Sequence, residues 1–207
     1  MPKVVDHETR RRELVQATWR IIARNGLSGA TMRQIAAEAG YANGALKPYF
    51  ATKADLIAAT YTYVFDRTNE RVARAAAGRT GLAALEAFCR QVLPLDAVRL
   101  DEARVVIPFW QEAAHDAGRA ELNNRSMAQW RESMAGWLVQ ARDAGDLAPR
   151  VDVPTAVEAL LTFLLGAQIT AALDPDVGSP HRLEQQLRAQ LDALRAHPGG
   201  AVPGAGS

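Results

Sequence analysis

The chain has 207 residues, 48% of them hydrophobic and 23% charged, which permits a substantial core and argues against global disorder. The net charge is only +1, yet residues 1–79 carry 13 Lys/Arg against 7 Asp/Glu and residues 80–207 carry 11 against 16. Only the basic first part is therefore expected to meet a polyanion. One cysteine, Cys89, excludes an intramolecular disulfide and suits a reducing compartment.

No segment is typical of export or of membrane insertion. The opening residues, MPKVVDHETRRR, lack the apolar core of a signal peptide. The longest uncharged helical run, residues 159–173, is too short to span a bilayer and contains Gln168 and two threonines. We therefore expect a cytoplasmic protein without a membrane partner.

In chain order, residues 1–7 are expected to form a loose arm before the first helix. Leu14, Ile21 and Ile22 give that helix an inward stripe, and the Asn25-Gly26 pair ends it. Three arginines at positions 10–12 open the helix. A solvated helix start and contacts with DNA phosphates explain these three arginines equally well.

Residues 31–53, TMRQIAAEAGYANGALKPYFATK, have the pattern of two short helices joined by a turn. Thr31 and Gln34 form a capping box, and Gly40 ends the first of these helices. The second is expected over residues 43–50, with Leu46 and Phe50 facing inward. The pattern predicts a helix-turn-helix, whose second helix suits the major groove of DNA.

The same residues resemble a known family. The runs RELVQATWRIIARNG, T-x-R-x-I-A-x-x-A-G, G-x-L-x-x-Y-F and x-K-x-x-L are similar to the tetracycline-repressor (TetR) family of one-component bacterial regulators. The resemblance covers the first quarter to third of the chain. It implies an all-α homodimer, most often a repressor, that binds a palindromic operator and is released by a small-molecule effector. The chain departs from the family pattern at Ala42, where serine is usual, and at Pro48, which disfavours helical geometry at Lys47.

The resemblance also implies which residues face double-stranded DNA. Arg33 can reach a phosphate or a base edge, Lys47 can bond guanine acceptors, and Tyr49 can give its hydroxyl to a phosphate. Lys53 opens the next helix beside Thr52, and a helix N-terminus with a lysine is a ready phosphate site. The expected DNA-contacting residues are Thr31, Arg33, Asn43, Gly44, Ala45, Lys47, Tyr49 and Lys53.

The remaining pattern is helical throughout, and about nine helices are expected in all. We call residues 8–53, with the helix-turn-helix at 31–50, the head, and residues 78–196, the expected effector-binding and dimerisation domain, the body. A connecting helix over residues 53–77 joins them. Five body helices are expected over residues 82–93, 98–115, 121–143, 154–173 and 181–195. Residues 197–207, rich in Gly, Pro and Ala, are expected to be a disordered tail.

Two surfaces of the body are expected to carry function. The last two helices are more apolar than one small body needs. The resemblance to the TetR family implies that this pair forms a four-helix bundle with a second copy, which favours dimerisation over simple core packing. The expected interface residues are Leu161, Leu165, Ile169, Leu187, Leu191 and Leu194. An effector pocket is expected at Phe65, Phe88, Trp110, Trp130, Met134, Trp137 and Gln168, although core packing is the better explanation of any single aromatic.

The segment PFWQEAA and its flanking helices also resemble the choline-responsive BetI type of regulator. A quaternary ammonium requires an aromatic cage, which Trp110 and Trp130 would begin. Two rival functions are weaker. Glu112, His115 and Asp116 form the one cluster that suggests an enzyme, without a nucleophile or a Gly-rich loop. A helical protein-interaction module would leave the basic head unexplained. No enzymatic activity, cofactor or metal is expected.

Overall fold

The structure, a computed structural model, describes residues 2–42 and 44–196, except the side chains of residues 2–6 and of Ser28. Asn43 and the tail expected at residues 197–207 lie outside the described residues. The fold is all-α, as the sequence predicts, and an isolated bridge between Leu147 and Arg195 is the one β-type pairing in the described ranges. The helices are α1 (Pro2–Gly29), α2 (Met32–Glu38), α3 (Lys53–Ala76), α4 (Gly81–Val92), α5 (Ala97–Ala113), α6 (Ala117–Asp143), α7 (Val153–Leu173) and α8 (Pro180–Leu194).

Two helix starts differ from expectation. Helix α1 begins at Pro2, so residues 2–7 belong to the helix and are not a loose arm. Gly26 (φ 69°) interrupts its helical geometry where the Asn-Gly pair predicts an end. Helix α6 starts at Ala117, before the expected residue 121, because the Asp116 side chain accepts a hydrogen bond from the backbone amide of Arg119 at 2.9 Å.

Eight α-helices lie in the described ranges, and the expected ninth, over residues 43–50, is replaced by consecutive turns at residues 44–49. Four-residue turns bond the amides of Ala45, Lys47 and Tyr49 to the carbonyls of Ala42, Gly44 and Leu46 at 3.0, 3.4 and 2.9 Å, and a single bond of α-helical spacing joins the Phe50 amide to the Leu46 carbonyl at 2.9 Å. Pro48 has no backbone donor and disfavours the α conformation at the residue before it. Regular α-helical bonding therefore does not develop here.

The protein has two hydrophobic cores, and α3 contributes to both. The first core joins α1, α2, the turn segment and the first half of α3, and it also takes Val105, Val106 and Phe109 from α5. The second core joins Phe65 and Val72 of α3 to α4, α6, α7 and α8. A single helix therefore runs from the head into the body.

Helix α7 is longer than the uncharged run suggests, because it begins at Val153. With 21 residues and a mean hydropathy of 1.7 over its most apolar window, it is the one helix in the described ranges that is long and apolar enough to cross a bilayer. Leu160, Leu161 and Leu164 are almost completely buried in the second core. In all, 39% of that apolar window is buried, so one face of α7 packs in the core while other apolar residues of the helix are open in the single subunit.

Candidate nucleic-acid interface and internal cavity

The capping box at the start of α2 orders the first part of the candidate DNA surface. The Thr31 hydroxyl accepts a hydrogen bond from the Gln34 amide at 3.2 Å, and the Gln34 side chain accepts one from the Thr31 amide at 3.2 Å. Arg33, between them, is exposed and forms no ion pair with the described residues. Its guanidinium is therefore available to an anion approaching the N-terminus of α2, where the helix dipole also favours negative charge.

The turn segment carries the next candidate DNA contacts and is held in place by two buried apolar side chains. Leu46 and Phe50 are buried, as the inward pattern predicts. Gly44 has a φ of 92°, a left-handed conformation that a side chain would strain. Lys47 is exposed, while Ala45 is half-buried. Tyr49, also half-buried, packs its ring 4.6 Å from that of His7, so α1 steadies the segment.

Lys53 stands in a different environment from the other basic residues. Its ammonium donates a hydrogen bond to the carbonyl of Leu27 at 2.8 Å, next to the break in α1. It also opens α3, whose capping box joins Thr52 and Asp55. Lys53 therefore fixes the end of α1 against the start of α3, in addition to any contact with a phosphate.

Sequence reasoning missed the polar interactions that hold the head together. The Tyr41 hydroxyl donates to the Glu13 carboxylate, and this bond is the main cause that raises the pKa of Tyr41 to about 12. Glu38 at the end of α2 accepts from Arg20 of α1 at 3.0 Å. Each pair joins residues at least 18 positions apart, so helical periodicity carries no sign of them.

An internal cavity of about 30 Å³ lies where α3, α5, α6 and α7 meet, room for about one water molecule. Gln168, 7% exposed, faces it and forms no side-chain hydrogen bond with the described residues. Trp130 donates its ring N–H to the Asn69 side chain at 2.8 Å. Burial raises the pKa of the Tyr61 hydroxyl. The lining residues are Tyr61, Val64, Phe65, Thr68, Val92, Arg99, Glu102, Val106, Trp110, Met127, Trp130 and Gln168.

Four of the seven residues expected in the pocket line this cavity: Phe65, Trp110, Trp130 and Gln168. Phe88 and Met134 are buried in the second core behind it, and Trp137 packs against the same core. The polar lining residues Arg99 and Glu102 were missed. Charged residues spaced along an amphipathic helix normally indicate a solvated face, and burial is visible only after folding.

The expected dimer residues divide into two groups. Leu161, Leu187 and Leu191 are buried within the subunit, so their side chains already pack in the second core. Leu165 and Leu194 are half-buried, and Ile169 is 40% exposed. Leu173, at the end of the same face of α7, is 80% exposed. On α7, the free apolar surface therefore includes Leu165 and Ile169 of the predicted set and continues to Leu173.

The side chains of Glu112, His115 and Asp116, the cluster that suggests an enzyme, do not converge on one point. His115 is exposed in the turn between α5 and α6, while the Asp116 carboxylate is engaged by the amide and the guanidinium of Arg119, the latter at 2.7 Å. No group of three potential metal ligands lies in the described parts of the chain.

Family comparisons agree with this geometry. Residues 14–60 match the N-terminal model of the bacterial regulatory proteins of the TetR family. Residues 81–196, more than half of the chain, match the model of the BetI-type transcriptional repressor C-terminal domain. The chain belongs to the TetR family. It is a transcriptional regulator whose C-terminal domain is of the BetI type.

Relatives of this TetR protein span nearly its whole length. It is 27% identical over 198 residues to the regulator PksA of Bacillus subtilis, covering 94% of each chain. It is 28% identical over 199 residues to the regulator BetI of Paraburkholderia phymatum, covering 94% of this chain and 95% of that one.

Solved TetR-type structures show the same architecture. A regulator from Rhodococcus sp. Rha1 superposes with a TM-score of 0.78 at 28% identity, over 89% of this chain and 95% of that one. A regulator from Saccharomonospora viridis in complex with choline superposes with a TM-score of 0.84 at 19% identity, over 92% of this chain and all of that one. At that identity the second likeness establishes the fold alone.

Proposed function

We propose that the protein is a cytoplasmic homodimeric repressor that acts by binding, not by catalysis, and that a small molecule in the internal cavity releases it from a palindromic operator. One observation carries the proposal: α3 runs unbroken from Lys53, beside the candidate DNA surface, to Tyr61, Phe65 and Thr68 in the cavity wall. An effector that favours another position of α3 shifts the population away from the DNA-bound arrangement.

The head, residues 8–53, is proposed as the DNA-binding unit, and the body, residues 78–196, as the effector-binding and dimerisation unit. Arg33 and Lys47 are proposed to contact phosphates or base edges, because both are exposed and basic. Thr31, Gly44 and Ala45 are proposed to bring the backbone close to the groove. Tyr49 and Lys53 are proposed to contact phosphates while they also hold the head together.

Dimerisation is proposed through α7 and α8. Ile169 and Leu173 are large apolar residues exposed on the single subunit, and half-buried Leu165 extends the same surface. A second copy would cover these residues around a two-fold axis. Such symmetry places two heads on successive half-sites of a palindrome. TetR regulators typically bind operators as dimers, which supports the same arrangement.

Fluorescence anisotropy with labelled DNA from upstream of the protein's own gene tests the proposal. We expect Arg33→Ala and Lys47→Ala each to weaken binding by about tenfold or more, corresponding to a contact of about 1–3 kcal/mol. Arg142→Ala is the matched control, because Arg142 is an exposed arginine of the body. Absence of binding at low salt by folded wild-type protein would contradict the proposed function.

A further inference from the structure

A surface groove lies where the end of α1 in the head meets the body. It has a volume of about 470 Å³ and is bounded by the last turns of α1, the middle of α5 and the end of α7. Two exposed arginines, Arg24 and Arg104, belong to its lining. An apolar groove of this size on a single subunit indicates a site that another molecule covers. The apolar residues that line it are Ile22, Ala23 and Leu27 of α1, Ile107 and Pro108 of α5, and Leu173 of α7.

The groove is continuous with the proposed dimer surface. Leu173 belongs to both, because it lines the groove and also ends the free apolar face of α7 that includes Ile169. At 80% exposure, it is the most exposed large hydrophobic residue in the described part of the chain. A second copy that covers the free face of α7 therefore also reaches the groove.

Helix geometry brings Leu173 of each copy close to the groove of the other. If two copies of α7 cross at Ile169, in the middle of the free face, Leu173 lies four residues, or about 6 Å, from the crossing point. Packed helices have axes about 8–10 Å apart, a distance that one side chain from each helix spans. Leu173 of one copy then meets the groove of the other, whose wall includes the end of the other α7. A two-fold axis repeats this contact, so both grooves are filled at once.

The loop that follows α7 holds Leu173 in its outward position. The Asp174 carboxylate accepts a hydrogen bond from the Val177 amide at 3.0 Å, and the Gly178 amide donates to the Asp174 carbonyl at 2.8 Å. Gly178 packs so closely on α7 that an added Cβ would lie 2.3 Å from the Cα of Ala171. The loop is therefore folded tightly against α7. Leu173 is already ordered before it meets a partner, which lowers the entropic cost of docking.

Charge also matches across this contact. Asp174 and Asp176 of the loop are exposed, and neither carboxylate forms an ion pair within the described residues. The arginines of the groove keep 62% and 42% of their side chains exposed, for Arg24 and Arg104 respectively, although each has a carboxylate neighbour in its own subunit. A guanidinium has five donors, so both can also bond the acidic loop of a second copy. Opposite charges around an apolar contact fix the register of an interface.

We propose that Leu173 of each subunit fills the groove of its partner, so that the body of one copy holds the head of the other. The inference rests on the proposed homodimer and deepens it. Leu27, in the groove lining, supplies the carbonyl that accepts the Lys53 ammonium at 2.8 Å. Leu173 of the partner subunit therefore steadies the end of α1 to which this proposed phosphate-binding lysine is tied. The separation of the two heads then depends on a direct contact between subunits at α1.

Cysteine cross-linking between subunits of two sizes tests the contact. A subunit with a large tag and Leu173→Cys is co-expressed with an untagged subunit that carries Ala23→Cys, on the α1 side of the groove. We expect mild oxidation to give a covalent dimer of the mixed size on denaturing gels. Native Cys89 is fully buried and does not compete. Arg142→Cys, at an exposed position of α6, replaces Ala23→Cys as the matched control and should give no mixed dimer.

The effect on the head is tested with Leu173→Ser, which removes little packing within the subunit because the side chain is 80% exposed there. We expect the dissociation constant of the dimer, measured by analytical ultracentrifugation, to rise by about tenfold or more. At concentrations where the variant is still dimeric, amide hydrogen exchange in residues 20–29 should be about fivefold faster and operator affinity should fall. Val98→Ser is the matched control: Val98 is 45% exposed on α5, does not line the groove, and should behave as wild type.

A dimer that binds its operator but gives no mixed cross-link would overturn the contact. A cross-link with unchanged hydrogen exchange in Leu173→Ser would overturn its effect on the head. Binding of decanoate, an apolar chain with a carboxylate, that Ala23→Trp abolishes would assign the groove to a small amphipathic anion instead. These three results leave the proposed function standing. A wild-type protein that is monomeric, or that binds no operator, contradicts the proposed function itself.

Discussion

The head and the body are stabilised in different ways. Apart from α1, the head consists of short elements, such as the seven residues of α2, and polar side chains tie them to α1: the Tyr41 hydroxyl donates to Glu13, and the Lys53 ammonium donates to the Leu27 carbonyl. The body is built from five helices of 12 to 27 residues packed around a larger apolar core. Its ligand space is almost closed. The comparison teaches that DNA binding by the head should respond chiefly to charge, whereas the stability of the body should depend chiefly on apolar packing.

A change in salt concentration should produce the largest difference between the head and the body. If Arg33, Lys47 and Lys53 of both heads contact phosphates, about six counterions are released, and the logarithm of operator affinity should fall with the logarithm of salt concentration with a slope of about −5. Affinity should drop by about a thousandfold between 50 and 200 mM salt. Anisotropy titrations measure the slope. The free energy of unfolding, which depends mainly on the apolar cores, should change far less over the same range, and a comparable salt dependence in urea denaturation would break the contrast.

Truncation of one buried side chain in each core should give the next largest effect. Phe109 of α5 stacks on Tyr61 at 3.9 Å between ring centroids and belongs to the first core, so Phe109→Ala should cost about 3–5 kcal/mol of unfolding free energy. Met134→Ala in the second core should cost about 2–5 kcal/mol. Urea denaturation measures both losses.

The rate at which the Cys89 thiol reacts reports whether the second core opens. It is fully buried in the second core, and burial raises the pKa of its thiol to about 12, so it is almost unreactive in the folded protein. Alkylation of Cys89 should accelerate in Met134→Ala far more than in Phe109→Ala. Equal acceleration in the two variants would mean that the cores open together.

Helix capping gives a smaller and well-matched contrast. The Thr52 hydroxyl accepts a hydrogen bond from the Asp55 amide at 3.1 Å at the start of α3, whereas Thr80 at the start of α4 makes no such bond. Thr52→Ala should therefore lower stability by about 1 kcal/mol, and Thr80→Ala by much less. Thermal unfolding of the two variants measures the difference. Equal losses would show that the cap bond contributes little in the head.

The smallest effect concerns the Tyr41–Glu13 bond. The pKa of Tyr41 is raised from 10.0 to about 12, chiefly by that hydrogen bond, so the folded state favours the protonated phenol. Its contribution to stability is complete below about pH 10 and is lost as the pH rises through about 12. Tyr41→Phe should be slightly less stable than wild type at pH 8 and equal to it near pH 12. A constant difference across that range, in denaturation at several pH values, would contradict the assignment.

Much of the fold was predictable because local patterns agree with it. The capping boxes at Thr31 and Thr52 and the apolar spacing of the body helices give the all-α architecture. The expected helix over residues 43–50 was wrong, since Pro48 outweighs the apolar spacing of Leu46 and Phe50 although both are buried as predicted. A pattern shows which face is apolar. It does not show whether a missing backbone donor prevents the helix.

The candidate sites were only partly predictable, because periodicity does not say what covers an apolar face. Leu187 and Leu191 have the spacing of an interface yet fill the subunit's own core, while Leu173 at a helix end is exposed. Glu102 sits on a helix with other charged residues and becomes distinctive only when Arg71, 31 positions away, reaches it. Long-range charge pairing of this kind has no signature in a single sequence.

The dimensions of α3 have a mechanical consequence. Its 24 residues make a rod about 36 Å long. A rigid rod turned by about 5° at one end moves by about 3 Å at the other, which is comparable to the whole length of a hydrogen bond. A rotation of α3 too small to disturb side-chain packing around the cavity would therefore be enough to move the lysine at its start, Lys53, out of reach of a phosphate.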